Sequence, residues 1–362
     1  MLSVMRGKRG VWPALLRLLM AILAVVYCGA LTLYLLPYRI GIRKRTRLKC
    51  PVISIGNLTT GGTGKTPFTI MLCRALQSIG KSVVVLNRGY RGKNEFSCAL
   101  VSDKNAVLMN AEDAGDEAFL LAQSLPGIPV LAGKDRRSTG AKATELFHPD
   151  IVILDDGLQF WQLHRDLDIV LLSAVSPFDN GWTLPRGLLR EPPSHLQRAD
   201  IIVITNSSSC NSAEISALQN QIQSLAPDRP HYFADIVPRF LKNLTDGAEM
   251  PVSWLRDRKA AVFSALGNPE SFEHTVKLLG AEILKISRFR DHEKLSEADL
   301  NRICLEASQA GAETIVTTSK DAVKLGQIQS SVPVLALHVE MEVNDLSALL
   351  QKVLSKVDFK NE

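Results

Sequence analysis

The residues best placed to do chemistry are Gly61-Gly62-Thr63-Gly64-Lys65-Thr66, at the end of the stretch PVISIGNLTTGGTGKT that opens at Pro51. Glycines let backbone N–H groups converge on an anion, because a side chain there would block the approach. A helix predicted from about Pro67 to Leu76 adds free N–H donors and partial positive charge at its N-terminus. Lys65 is then placed to reach the β/γ-phosphates of a nucleotide, and the Thr66 hydroxyl to hold Mg²⁺. Thr60, Gly61, Gly62, Thr63, Gly64, Lys65 and Thr66 form the candidate phosphate cradle. The usual pattern has glycine at the position of Thr59 here.

A phosphate loop needs a carboxylate partner, and Ile151-Val152-Ile153-Leu154-Asp155-Asp156-Gly157 supplies one: an apolar strand ending in acids. One of Asp155 and Asp156 binds Mg²⁺, directly or through water, beside the Thr66 hydroxyl; which of the two stays open. Together these parts mean nucleoside triphosphate binding and phosphoryl transfer. No Asn-Lys-x-Asp guanine motif is present, since Ser319-Lys320-Asp321 does not fit its spacing. The nucleotide is therefore read as ATP.

Other candidates are weaker on residue type alone. Asn87-Arg88-Gly89-Tyr90-Arg91-Gly92 follows an apolar strand, at the edge where α/β sheets bind ligands; a basic surface loop is the competing reading. Asp116 and Glu117 open an apolar helical run, where acids suit the helix dipole without any further role. Lys134, Arg136 and Arg137 either contact phosphate or form an ordinary charged first turn. The loop 181–193 is long and proline-rich, as functional loops often are. His292 directly follows a carboxylate, Asp291, in a predicted loop between elements.

The elements that must position these residues read as α/β. Apolar strands are predicted at Val52–Ile55, Ser82–Leu86, Ile128–Leu131, Ile151–Leu154, Leu167–Leu172 and Ile201–Ile204, alternating with helices. That alternation implies a P-loop NTPase-like, mostly parallel sheet with helices on both faces. From about Val237 the pattern restarts, with strands at Ala260–Ala265, Ala281–Ile286, Thr314–Thr317 and Val332–Leu337 and helices at Pro269–Leu279 and Glu297–Gln309. The expected division is an N-terminal anchor over 1–45, a kinase-like core over 46–237 and a smaller C-terminal α/β domain over 238–362.

Six scattered cysteines without a CxxC pair argue for a reducing compartment and against structural zinc. Residues 1–49 carry ten Lys/Arg and no Asp/Glu, leaving 32 basic and 37 acidic residues in the remainder. A basic arm on a mildly acidic body is not a nucleic-acid-binding surface; it points to one local anionic partner. Within that arm Leu18 to Leu36 has no charged residue, about the length that spans a bilayer core. The basic cluster Arg39 to Lys49 predicts an uncleaved anchor that keeps the body on the cytoplasmic face, near anionic lipid. Arg6, Lys8, Arg9 and Arg17 on the other flank keep a helix lying in the interface as an open alternative.

GNLTTGGTGKTP, RGYRG, GDEAFLLA, DDGLQFWQLHRDLDIVLL, LPRGLLREP, RDH and TTSKDAVKL stand in the order and rough spacing of one family. The chain resembles the tetraacyldisaccharide 4′-kinases, the lipid A 4′-kinases, over nearly its whole length. The resemblance implies transfer of the ATP γ-phosphate to the 4′-hydroxyl of a tetraacyl glucosamine disaccharide 1-phosphate at the inner membrane. It implies Lys65 and Thr66 as the phosphate and Mg²⁺ pair, and Asp155-Asp156 as the metal-proximal acids. Asp116 becomes the base, with His292 its partner. Arg190-Glu191 match an active-site Arg-Glu, and Arg88 and Tyr90, with Arg136, are expected near the acceptor. Asp116 and His292 fall in different predicted domains, so closure between them is expected. No obligate protein partner is evident. A membrane-tethered NTPase switch and a non-catalytic scaffold are the competing classes; neither would yield a phosphorylated lipid. Local departures are Phe160-Trp161, Arg186 and Ser319, where the family often has other residue types.

Overall fold

The computed structural model describes residues 10–267, 269–290, 295–325 and 330–357. In chain order the strands are β1 (Val52–Asn57), β2 (Val83–Asn87), β3 (Ala99–Ser102), β4 (Val130–Ala132), β5 (Ile151–Asp155), β6 (Leu167–Ser173), β7 (Ile201–Thr205), β8 (His231–Asn243), β9 (Glu249–Pro251), β10 (Lys259–Ser264), β11 (Glu282–Arg288), β12 (Thr314–Thr318) and β13 (Val334–Val343). The helices of eight or more residues are α1 (Val11–Arg39), α2 (Lys65–Ser78), α3 (Asp116–Ser124), α4 (Arg136–Phe147), α5 (Ser212–Leu225), α6 (Pro269–Leu278), α7 (Glu297–Gln309) and α8 (Leu346–Val357). They fall into two compact units. One comprises residues up to Arg88, Asp135–Asp235 and the segment from Glu342; the other comprises Gly89–Lys134 and Ile236–Met341.

In the first unit the strand order is β7-β6-β1-β5-β2, all parallel. Every residue of β1, β2, β5 and β7 is buried. Continuous apolar runs of this kind, with no polar alternation, are what a parallel sheet covered on both faces requires. On one face Val170, Leu172, Ile202 and Ile204 pack with Leu218 and Ile222 of α5, while Ile169, Leu171, Ile201 and Val203 are buried on the other. Asn211 and Glu214 close a capping box at the start of α5, satisfying two otherwise orphaned N–H groups. The register sets Ile55 beside Asp155, so β1 and β5 release their next residues at the same sheet edge.

In the second unit β11-β10-β12-β13 are parallel neighbours, β9 pairs antiparallel with β8, and β3 pairs antiparallel with β4. Alternation along β10 serves two cores. Ala260 and Val262 pack with Phe272 and Val276 of α6, and Ala261 and Phe263 with Leu300 and Ile303 of α7. The short helix α3 lies against β3, β4 and the single turn Ser319–Ala322.

The α/β class expected from sequence is what the chain adopts, with an N-terminal apolar helix added. α1 is long and apolar enough to cross a membrane by length and composition. Only Met20, Ala24, Leu35 and Tyr38 of it are buried, while Trp12, Leu18, Val25 and Leu33 are among those well exposed.

Candidate active site

β1 ends at Asn57 and the chain turns through Gly64 into α2, which begins at Lys65. Gly61 (φ 131°) and Gly64 (φ 81°) have backbone that residues with a Cβ rarely adopt. A Cβ on Gly61 would meet nothing within 4 Å, so conformation rather than crowding selects glycine there. Thr59 instead sits in an antiparallel bridge to Leu189, without positive φ; that accounts for a threonine where glycine is usual. The strap continues with Thr60, whose N–H and hydroxyl both donate to the Leu188 carbonyl (2.7 and 3.1 Å). The Thr63 carbonyl accepts from the Thr205 hydroxyl on β7 (3.1 Å). The Thr63 hydroxyl is buried without a protein partner, as a donor kept for a ligand would be.

Lys65 donates to Asn57 Oδ1 (3.2 Å) and stands 3.7 Å from Asp156. Arg190 grips Asp156 through Nη1 and Nη2, and also reaches Asn57 Oδ1 and the Thr59 carbonyl (3.1 Å). Burial pushes the Asp156 carboxyl up, but the charges of Lys65 and Arg190 outweigh it and hold it well below the usual carboxylate range. Asp156 is therefore ionised at neutral pH and already engaged by two cations.

Asp155 differs. It is 1% exposed and accepts from Thr69 Oγ1 (3.0 Å), Asn87 Nδ2 (3.0 Å) and Thr66 Oγ1 (3.4 Å). A hydroxyl and a carboxylate meeting at the rim of a phosphate loop are hard oxygen donors of the kind Mg²⁺ takes, alongside phosphate oxygens. The residues present thus fit that ion. Among the described residues no cluster of three or more His, Cys, Asp or Glu forms a protein-only metal site.

Glu191 is 1% exposed and has its oxygens taken by Gln159 Nε2 (3.1 Å), His195 Nδ1 (2.7 Å) and Arg198 Nη1 (2.8 Å). Burial raises its carboxyl, but the His195 hydrogen bond and the Arg198 charge leave it lowered overall. His195 Nε2 meets Arg39 at the end of α1 (2.8 Å). α1 touches the same loop elsewhere too: Tyr27 donates to the Arg190 carbonyl (2.8 Å), Cys28 Sγ lies 3.2 Å from the Thr183 hydroxyl, and that hydroxyl donates to the Ala24 carbonyl (3.4 Å). Asn57, Gln159, His195 and Arg198 were not singled out in the sequence. Asn57 had a signal, since it closes β1 at the ligand edge; Gln159 lies within a motif but carries no type-specific cue.

Arg136 is 6% exposed, its guanidinium over the Phe160 ring (5.1 Å). Arg88 directly follows β2 in the first unit. Tyr90, in the second, is 42% exposed, with the Arg91 guanidinium 5.4 Å from its ring. Asp116 opens α3 in that unit, 3.5 Å from Lys324 Nζ. His292 lies outside the described residues.

The sequence profile of the family described as tetraacyldisaccharide-1-P 4′-kinase matches residues 16–358. The chain belongs to the tetraacyldisaccharide 4′-kinase family. It is 39% identical over 340 residues to the tetraacyldisaccharide 4′-kinase of Geobacter metallireducens, covering 93% of this chain and 98% of that one. It is 40% identical over 343 residues to that of Syntrophus aciditrophicus, covering 90% and 91%. Among solved structures it is similar to LpxK from Aquifex aeolicus in complex with ATP, with a TM-score of 0.72, 30% identity, and coverage of 94% and 99%. As a tetraacyldisaccharide 4′-kinase family member, the chain is an ATP-binding kinase.

Proposed function

We propose that this kinase transfers the γ-phosphate of ATP to the 4′-hydroxyl of a tetraacyl glucosamine disaccharide 1-phosphate, in lipid A biosynthesis. The observation that carries the reading is Thr66 and Asp155 meeting beside the Gly61–Lys65 cradle in a chain of this family. Thr60 to Thr66 hold the triphosphate, and Lys65 offsets the charge of its outer phosphates. Thr66 and Asp155 would hold Mg²⁺, which when bound neutralises charge on the transferred group. Asp156 fixes Lys65 and Arg190 as a rigid cationic pair, and buried Glu191 positions Arg190's neighbours. The family likeness implies Arg88 and Tyr90, with Arg136, near the acceptor, and Asp116 as the base that takes the proton from its hydroxyl, with His292 its partner.

The same reading places the enzyme at the cytoplasmic face of the inner membrane. Contacts of Tyr27, Leu35, Tyr38 and Arg39 with the first unit run along half of α1, while its other flank exposes apolar side chains. That supports a helix lying in the interface, apolar flank in lipid, over one that crosses the bilayer. Arg43, Lys44 and Arg47, exposed just beyond it, suit anionic headgroups.

The test is direct. Purified enzyme, MgATP and tetraacyldisaccharide 1-phosphate should yield a bis-phosphorylated lipid, and Lys65→Ala should abolish it. ATP hydrolysis without lipid product would sink the reading.

A further inference from the structure

The motif TTSKDAVKL (317–325) contributes to the family likeness, yet the chemistry above gives it no task. Its middle is the turn Ser319–Ala322, capped by Thr318 and packed against α3. Asp321 on that turn is fully buried, accepting from the Ala265 N–H (3.0 Å) and the Thr318 hydroxyl (2.8 Å). Lys324 follows. Its side chain is only 3% exposed, with Nζ 3.2 Å from Asp321 Oδ1 and 3.5 Å from Asp116 Oδ2. Lys320, one helical turn earlier, stands 4.0 Å from Glu117.

A buried ammonium needs a counter-charge, and Asp321 alone supplies one. Asp321 is in turn fixed to the ends of β10 and β12 through Ala265 and Thr318. The second carboxylate on Lys324 is therefore not needed for neutrality. What the contact does is tie Asp116 to a rigid post and favour its ionised form.

We propose that Lys324 is the positioning residue for Asp116, fixing the direction of the carboxylate and keeping it ready to accept the acceptor's proton. This rests on the reading of Asp116 as the base. Among the described residues the charged and titratable groups around Asp116 are Lys324, Lys320, Asp321 and its neighbour Glu117, with Glu112 and Asp113 on the preceding turn and Tyr90 and Arg91 on the loop packed against Gly115. Glu112 is paired with Lys93 (3.1 Å), and β3 and β4 carry no ionisable side chain. Of these, Lys324 is a cation in direct contact, at 3.5 Å. Its removal raises the pH at which Asp116 ionises, because an adjacent cation favours the charged form of an acid.

The experiment measures kcat and KM against pH for K324M, K324R, D116N and K324M/D116N, with MgATP and tetraacyldisaccharide 1-phosphate. Expected for K324M is a loss of kcat of roughly tenfold or more at neutral pH, an unchanged KM for ATP, and an acid limb displaced upward by about one unit. K324R should recover most of the rate. In the D116N background, K324M should cost nothing further. K324M/D321N, which removes both buried charges, serves if K324M alone does not fold, and should show the same displaced limb. A K324M profile superimposed on the wild type, with D116N inactive, overturns the proposal and spares the base reading. Equal losses with and without Asp116 also overturn it. Wild-type turnover by D116N overturns both.

Discussion

Arg190 meets Asp156 through two parallel N–H···O bonds, Nη1 to Oδ2 at 3.1 Å and Nη2 to Oδ1 at 2.9 Å. The two residues come from loops that share no secondary element, and each is fixed again by a third party. Asn57 Oδ1 accepts from both Arg190 and Lys65, so one side chain at the end of β1 sets the spacing of two cations. Such pre-arranged positive charge is what a phosphoryl-transfer site needs, because little reorganisation is then left for the reaction itself.

Arg190→Lys tests the geometry apart from the charge. Lysine keeps the cation but loses the planar fork, and cannot bond Asp156 twice while reaching Asn57. Turnover is expected to fall by about tenfold to a hundredfold at saturating substrates, with little change in melting temperature. Wild-type kcat in this variant would show that charge alone suffices.

Asp155→Asn should behave differently. The carboxylate accepts three donors, and an amide presents its own N–H₂ to at least one of them. Leaving one buried donor unmatched costs about 1–3 kcal/mol, measurable by urea unfolding. Thr66→Ala leaves the fold intact and should raise the Mg²⁺ concentration for half-maximal rate. Chelation of Mg²⁺ should stop turnover reversibly in the wild type. An unchanged Mg²⁺ requirement in Thr66→Ala would remove that hydroxyl from the ion's shell.

Acid stability follows from the two depressed carboxyls. For Asp156 and Glu191 burial opposes ionisation but the neighbouring cations win, so both titrate below their unfolded values. Each then contributes stability that is fully present above the ordinary carboxylate range, near pH 4. That stability is lost as pH falls through the folded values. Thermal unfolding should therefore be nearly insensitive to these groups from pH 7 to 5 and fall below about 4. Asp156→Asn should flatten the acid side of the curve; an identical slope in that variant would contradict the pairing.

What was legible in the sequence was local. β1, β2, β5, β6 and β7 announced themselves because burial on both faces leaves mostly apolar residues, and the cradle because its glycines, Lys65 and Thr66 are contiguous. β8 was missed: most of its 13 residues are half-buried, only Ala234 and Leu241 are fully buried, and it includes Pro238. α5 and α8 were missed too, although Leu349, Val353 and Val357 of α8 stand at helical spacing and are buried. The roles of Asn57 and Gln159 depend on strand register. The bond from Tyr27 to the Arg190 carbonyl joins positions 163 residues apart, and no local pattern encodes such a pair. Thr59, by contrast, looked like a departure and has a physical reason in its bridge to Leu189.

Trp161 carries the last prediction. It is 4% exposed, packed with Leu35 and Tyr38 of α1, and flanked by the guanidinium groups of Arg198 (4.4 Å), Arg45 (5.1 Å) and Arg165 (5.4 Å). Truncation to alanine leaves a cavity worth about 3–5 kcal/mol and removes cation–π contacts of roughly 0.5–1 kcal/mol each. The cavity opens where α1 ends, one residue before Arg39 reaches His195 and so Glu191. Trp161→Ala should lower thermal stability and speed tryptic cleavage between Arg39 and Arg47. It should also reduce kcat severalfold, because Glu191 loses its tether through His195. Trp161→Phe, which keeps an aromatic face, should restore most of each. If Trp161→Ala were cleaved at the wild-type rate while retaining full stability, the end of α1 would not be held by this contact, and its influence on Glu191 would have to run through the contacts of Ala24, Tyr27 and Cys28.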